Sequence, residues 1–316
     1  MKRIRIALAS LCLAATTGSA MAQTSPPLQI PLATLNAALK CTVSPGLAGA
    51  TKTPVLLVHG TAVSADASWG ATYAKVLPAQ GYPVCTVDLP GRALGDIQDS
   101  AEYVVQAVRT MYAASGRKIS MIGHSQGGII TTWVMKFWPD LTPMVDDVIN
   151  LAGAHHGTLG GFACAIPGFC GAAAWQFGST SNLISALNRK PLPAGPSFTS
   201  ILSLTDAAVT PQPYGSLLDG GTNIALQTRC PGRPVGHVGI LADAHAYDIV
   251  KDAITHAGPA SITRLPLGTC LDVYLPGINL AKWNETLTLG LLEGITDLVN
   301  QPNPVPSEPP VRAYAQ

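Results

Sequence analysis

The chain has 316 residues, a formal net charge of +1 and only 12% charged residues. That balance gives no support for nucleic acid or an anionic surface as a partner. The 47% apolar share and mean hydropathy of +0.28 suit a large core and some exposed apolar surface, and the length fits one α/β domain better than two.

Residues 1–22 read as a secretory signal peptide. Lys2, Arg3 and Arg5 form a positive start, Ile6 to Ala15 a short apolar run, and Ala20-Met21-Ala22 an A-x-A cleavage site. The mature chain is then a single domain over 23–316. The apolar run is too short to span a membrane, and no later stretch is a continuous apolar twenty-mer. Cys12, with Leu11 before it, is a poor lipoprotein site. A soluble protein exported to the extracellular space or periplasm is expected, acting as a monomer. Losing Cys12 with the signal leaves six of the seven cysteines, an even set for an oxidising compartment, which pair in fifteen ways in principle. Sequence order suggests Cys41–Cys85, Cys164–Cys170 and Cys230–Cys270. No C-x-x-C occurs and no cysteine sits in a histidine cluster, so zinc is not expected.

Leu32 to Leu39 suits a short helix. Thr53 to Val58 is a continuous apolar strand of the kind buried on both faces of a parallel sheet. His59-Gly60-Thr61 follows it. In a hydrolase this loop supplies one backbone N–H of an oxyanion hole, and Thr61 is placed to give it and to add its hydroxyl. Trp69 to Gln80 reads as an amphipathic helix and Val84 to Val87 as the next strand. A helix over 101–114 is expected with Ser100 as its N-cap, closed by Gly116. Lys118 to Ile122 is then a strand, and Ile129, Ile130, Trp133, Val134 and Phe137 recur with helical spacing. Between them stands Gly123-His124-Ser125-Gln126-Gly127, a G-x-S-x-G at a strand-to-helix turn. There a serine is held exposed in a strained backbone, glycines remove clashing side chains, and the Gln126 N–H is the second oxyanion donor. The bland alternative is a glycine-rich βα turn with a capping serine.

Val145 to Leu151 is another strand. His155 and His156 after it are assigned to the pocket floor; a general-base role is the weaker alternative, because this strand end comes early in the chain order of hydrolases. Leu159 to Phe177 is glycine- and alanine-rich, uncharged and aromatic, with Trp175 among its members. It is either a covering loop or a lid facing an acyl chain, and the substrate-facing reading is favoured. Phe198 to Leu204 is a strand closed by Thr205-Asp206. Asn223 to Gln227 is the last strand, and His237 follows within a dozen residues. The order Ser125, Asp206, His237 is that of α/β-hydrolases rather than of chymotrypsin or subtilisin types. Asp243 is the rival acid, and His245 and His256 the rival bases, but they belong to the following helix, Ala242 to Ala257. Ile278 to Val299 reads as a long helix, and residues 301–316 include a Pro-rich surface tail.

The residues also resemble those of the Candida antarctica lipase B-like lipase family and its bacterial homologues, over roughly Leu35 to Val299. The resemblance is carried by Pro54-Val55-Leu56-Leu57-Val58-His59-Gly60-Thr61, Gly81-Tyr82-Pro83-Val84-Cys85, Ser125-Gln126-Gly127-Gly128, Thr205-Asp206 with Val209-Thr210-Pro211-Gln212, and Cys230 before His237. It implies an α/β-hydrolase fold with a mostly parallel, doubly wound sheet and helical additions. It also implies the Cys41–Cys85 and Cys230–Cys270 bridges, the triad Ser125, Asp206 and His237, and oxyanion donors at Thr61 and Gln126. The implied activity is hydrolysis of fatty-acyl esters, with a lipid–water interface as the place where such a substrate is met. This acyl transfer needs no cofactor or metal. The family has threonine-tryptophan before its serine, where this chain has Gly123-His124; a more polar substrate pocket walled by His124, His155 and Trp175 is expected. The family's C-terminal disulfide has no counterpart. A polyester or other carboxylester hydrolase is the alternative, and a catalytically silent binding protein of the same fold is the rival from another class.

Overall fold

The computed structural model describes residues 24–159, 170–299 and 304–316. The expected signal peptide, Cys164 and most of the lid-like segment lie outside these residues. Among the described residues, seven strands make one sheet: β1 (Leu39–Cys41), β2 (Val55–Val58), β3 (Val84–Val87), β4 (Ile119–His124), β5 (Val145–Leu151), β6 (Ser197–Leu202) and β7 (Thr222–Ala225). Their spatial order is β1-β3-β2-β4-β5-β6-β7. β1 runs antiparallel to β3; every other neighbouring pair is parallel. The chain leaves β2 for β3 on one side and returns to β4 on the other. This is a topological switch point, and the crevice at the carboxyl ends of β2 and β4 is where such sheets bind ligands.

The helices are α1 (Leu32–Ala37), α2 (Ala65–Trp69), α3 (Tyr73–Ala79), α4 (Ile97–Ser115), α5 (Gln126–Phe137), α6 (Ala172–Gln176), α7 (Asn182–Arg189), α8 (Leu226–Arg229), α9 (Ala244–Thr255) and α10 (Leu280–Val299). They cover both sheet faces. Leu56 and Val58 point into one core with α1, α4 and α5, while Val55 and Leu57 point into the other with α3 and α9. All four are fully buried, each contributing roughly 1.5–3 kcal/mol. That two-sided burial explains a strand with no polar residue.

Several boundaries differ from the sequence expectation: Leu39 opens β1 rather than closing α1, Leu226 and Gln227 belong to α8 rather than β7, α9 and α10 are shorter than expected, and two further differences have a visible cause. α4 starts at Ile97, because the Asp96 side chain accepts from the Gln98 N–H and caps the helix four residues before Ser100. It ends at Gly116 in the left-handed conformation, φ 63°. The run Trp69 to Gln80 is not one helix. Ser64 caps α2, which closes at Trp69, and α3 restarts at Tyr73.

Cys41–Cys85 ties β1 to β3 and Cys230–Cys270 ties the end of α8 to the segment before α10. With sequence separations of 44 and 40 residues, each restrains the unfolded chain by about 4 kcal/mol on the chain-entropy account. The described part of the C-terminal tail is firmly held on the surface. Glu308 accepts from the Asn182 and Leu183 N–H groups at the start of α7, Arg312 pairs with Asp99 and Glu102, and Tyr314 packs on Trp133 and Trp138. Glu102 also accepts from the Gln29 and Ile30 N–H groups, so both terminal segments are moored to α4.

Candidate active site

Ser125 stands between β4 and α5 with φ 56° and ψ −122°, a conformation that costs a non-glycine residue of order 1–3 kcal/mol. The glycines around it answer to backbone crowding. A Cβ on Gly123 would lie 2.5 Å from the Gly127 carbonyl oxygen, and one on Gly127 would lie 2.3 Å from that of Val58. The strain is held by the Ser125 N–H donating to Leu151 O (3.0 Å) and by Gly128 N–H donating to Ser125 O (2.9 Å). The serine therefore projects from the carboxyl edge of the sheet, at the amino end of α5 with its positive dipole.

His237 Nε2 lies 2.9 Å from Ser125 Oγ, and His237 Nδ1 lies 2.7 Å from Asp206 Oδ2. Asp206 is buried, and its other oxygen accepts from the Ala208 and Val209 N–H groups at 2.8 and 3.0 Å. Burial alone would raise its pKa. The hydrogen bond and charge of His237, with the two N–H groups, outweigh burial and hold the carboxyl below its ordinary value. An ionised Asp206 accepts, so Nδ1 of His237 carries the proton and Nε2 is left to accept from the serine hydroxyl. The loops bearing acid and imidazole are stitched together: the Ser203 and Thr205 hydroxyls both donate to Val235 O, and Val235 N–H donates back to Thr205 Oγ1.

Thr61 and Gln126 flank Ser125. Gln126 Nε2 donates to Thr61 Oγ1 at 3.1 Å and to Ala93 O at 3.0 Å. Because Thr61 Oγ1 already accepts, its own hydrogen is free to turn toward the serine. Two cavities meet at Ser125 and His237. One, of about 300 Å³, is walled by Thr61, Thr158, Phe177 and Val209. The other, of about 150 Å³, is walled by Val63, Ala67, His124, Val238 and Leu287.

A sequence model of the alpha/beta hydrolase family matches residues 55–266, which span every one of these groups except Leu287. The chain belongs to the alpha/beta hydrolase family. It is similar to lipase B of Pseudozyma antarctica, 30% identical over 243 residues that cover 72% of this chain and 69% of that protein. Among solved structures it is similar to Aspergillus fumigatus lipase B, with 29% identity and a TM-score of 0.82, over 95% of this chain and 76% of that one.

The hydrolase departs from the sequence expectation at several side chains. His155 is not on the wall of either cavity. It is buried beneath them, between Asn150 Nδ2 (3.0 Å) and Ser216 O (3.2 Å), where burial lowers its pKa to about 4. His156 turns away to Asp219 and stacks on Tyr214. Trp175 also misses both walls, its indole N–H donating to Val305 O in the tail; Phe177 lines the larger cavity instead. The described end of the lid-like segment is bonded to the body, through Gln176 to Ile97 N–H and Asp96. Asp243 is occupied as the N-cap of α9 and the partner of Arg233 (2.7 Å). His245 meets Thr269, and His256 meets Asp252.

Sequence reasoning missed the supporting groups. His59 is buried, takes the Leu89 N–H on Nε2 (3.0 Å) and meets Gly60 O through Nδ1 (2.7 Å), which fixes the turn that presents Thr61. The Gln126 side chain was legible only as a backbone donor. Among the described residues, no group of three or more His, Cys, Asp or Glu side chains is arranged to hold a metal ion. No helix there is long and apolar enough to cross a membrane.

Proposed function

We propose that this hydrolase is an exported lipase or esterase that cleaves fatty-acyl carboxylic esters through an acyl-enzyme on Ser125. The observation that carries the proposal is the unbroken run of hydrogen bonds from Asp206 through His237 to Ser125, opening on two cavities of unequal size. His237 Nε2 takes the hydroxyl proton as Ser125 Oγ bonds to the ester carbonyl carbon. The carbonyl π pair moves onto oxygen, where the Thr61 and Gln126 N–H groups and the Thr61 hydroxyl receive the charge. Asp206 stabilises the imidazolium and holds its orientation. Collapse expels the alkoxide, which leaves as alcohol with the proton from Nε2. Water then repeats the sequence on the acyl-enzyme and releases the acid.

The larger cavity, walled by Phe177 and Val209, suits an acyl chain, and the smaller one suits the leaving alcohol. Relatives named lipase B support the substrate class, and two disulfides suit an oxidising compartment. The test is hydrolysis of p-nitrophenyl esters from acetyl to palmitoyl, with Ser125→Ala beside the wild type. Turnover of long chains that disappears in the variant is expected. Activity only on acetyl and butyryl esters would replace lipase by esterase. Equal activity in both proteins would overturn the role of Ser125, and no activity in either would leave a binding protein of hydrolase fold.

A further inference from the structure

His124, the residue before the nucleophile, is not used by the scheme above, although its ring lies 4.9 Å from that of His237. Its side chain is buried, edge-on to Trp69 at 6.5 Å. Nε2 lies 3.0 Å from the backbone carbonyl oxygen of His237. A carbonyl can only accept, so Nε2 carries the hydrogen and donates. Nδ1 is buried with no hydrogen-bond partner, against the Gly60 backbone, so it does not offer a contact to substrate. The segment it grips is stitched to the acid loop at Val235, two residues earlier, and the His124 bond ties the base itself to the strand that bears the nucleophile. His237 lies in a stretch without regular secondary structure, and Gly236 before it has open space around it.

We infer that His124 is a positioning residue, whose Nε2–H holds the backbone of the catalytic base at the distance the nucleophile requires. The contacts close a ring. It runs from Ser125 Oγ to the His237 imidazole, to the His237 carbonyl, to the His124 imidazole, and back through one peptide bond to Ser125. The same strand end thus sets both the nucleophile and, through one bond, the register of its base. The inference rests on the reading of Ser125 and His237 as nucleophile and base. Burial, the nearby His237 and His59 opposing protonation, and the carbonyl of His237 and Asp206 favouring it, leave the His124 pKa at about 3. His124 therefore stays neutral while His237 gains its proton, and does not repel the imidazolium.

The test compares His124→Leu, which keeps bulk and removes the donor, with His124→Gln, which restores an N–H donor. Both are assayed on soluble p-nitrophenyl butyrate, beside wild type and Ser125→Ala, with thermal unfolding and the low-field proton resonance of the His237–Asp206 hydrogen bond. A misplacement of about 1 Å costs about 100-fold. His124→Leu is therefore expected to lose about 10- to 100-fold in kcat with KM within about twofold, and to broaden or lose the low-field resonance. His124→Gln should recover most of both. An unchanged kcat in His124→Leu overturns the inference, as does a raised KM with kcat intact, which would leave His124 only its place in the wall of the smaller cavity. Equal loss of kcat and resonance in the Leu and Gln variants also overturns it. Should the Leu variant not fold, the Gln variant decides alone: loss of its resonance and kcat in a folded protein rejects the role. Activity surviving Ser125→Ala would instead reject the function proposed above.

Discussion

Replacing Asp147 by asparagine should stabilise the fold above pH 6 and leave catalysis untouched. Asp147 sits near the start of β5, at the end of the sheet opposite Ser125, and its carboxylate accepts from Ser120 Oγ (2.9 Å) and Ser197 Oγ (2.5 Å). Burial raises its pKa to about 6, against the pull of the two hydroxyls. Relative to an ordinary carboxyl near 4, that is about 3 kcal/mol between the two protonation states. The folded pKa lies above the unfolded one, so the folded protein holds a proton that the unfolded chain has released between about pH 4 and 6. The stability this contributes is complete below about pH 4 and is lost as pH rises through about 6. Asparagine does not titrate and keeps partners for both hydroxyls. Structural relaxation takes part of the penalty, so a gain of about 1–3 kcal/mol at pH 8 is expected, or roughly 2–10 °C in Tm for a domain of this size. Calorimetric melts of both proteins from pH 4.5 to 8, with ester turnover as control, measure it. A Tm difference that does not change with pH, or a less stable variant at pH 8, would refute the reasoning.

Thr61→Val removes the hydroxyl and keeps the backbone N–H. Loss of one oxyanion donor predicts a kcat about 100- to 1,000-fold lower with little change in KM; a drop under about threefold on a soluble ester would remove that hydroxyl from the oxyanion hole. Gly127→Ala puts a Cβ 2.3 Å from a backbone carbonyl oxygen of β2, and neither backbone has room to yield. The expected outcome is no folded protein by circular dichroism, and a folded, active variant would refute the crowding account.

The parts of the site that depend on neighbouring residues were readable from the chain. Gly123, Ser125 and Gly127 fall in a motif five residues long, although the crowding at Gly127 comes from Val58 in β2, and the apolar run of β2 announces a strand covered on both sides. Thr61, Asp206 and His237 followed from the order of elements. The bonds that hold these groups in place join residues far apart and have no period. His124 meets the His237 carbonyl across 113 residues, and Arg312 meets Glu102 across 210. No spacing rule reveals such pairs. The N-cap of α4 failed for another reason. Asp96 and Ser100 are both good acceptors near a helix start, and only the burial of Ile97 and Gln98 chooses between them. The sequence places His155 and Trp175 by their position beside a strand end and in an aromatic segment, but His155 is held by the Asn150 side-chain amide and Trp175 by the Val305 backbone carbonyl, partners that composition does not disclose.

The mooring of both terminal segments on α4 bears on how the protein can be handled. A fusion partner, purification tag or solid support joined beside residue 24 or after residue 316 is anchored on the flank formed by α4 and α5, to the side of the crevice at the carboxyl edge of the sheet. Trimming is another matter. Shortening the chain before Arg312 would strip the buried Glu102 carboxylate of its cation and leave the start of α7 without Glu308 if the cut falls earlier. Immobilisation chemistry should therefore extend this terminus rather than cut it back.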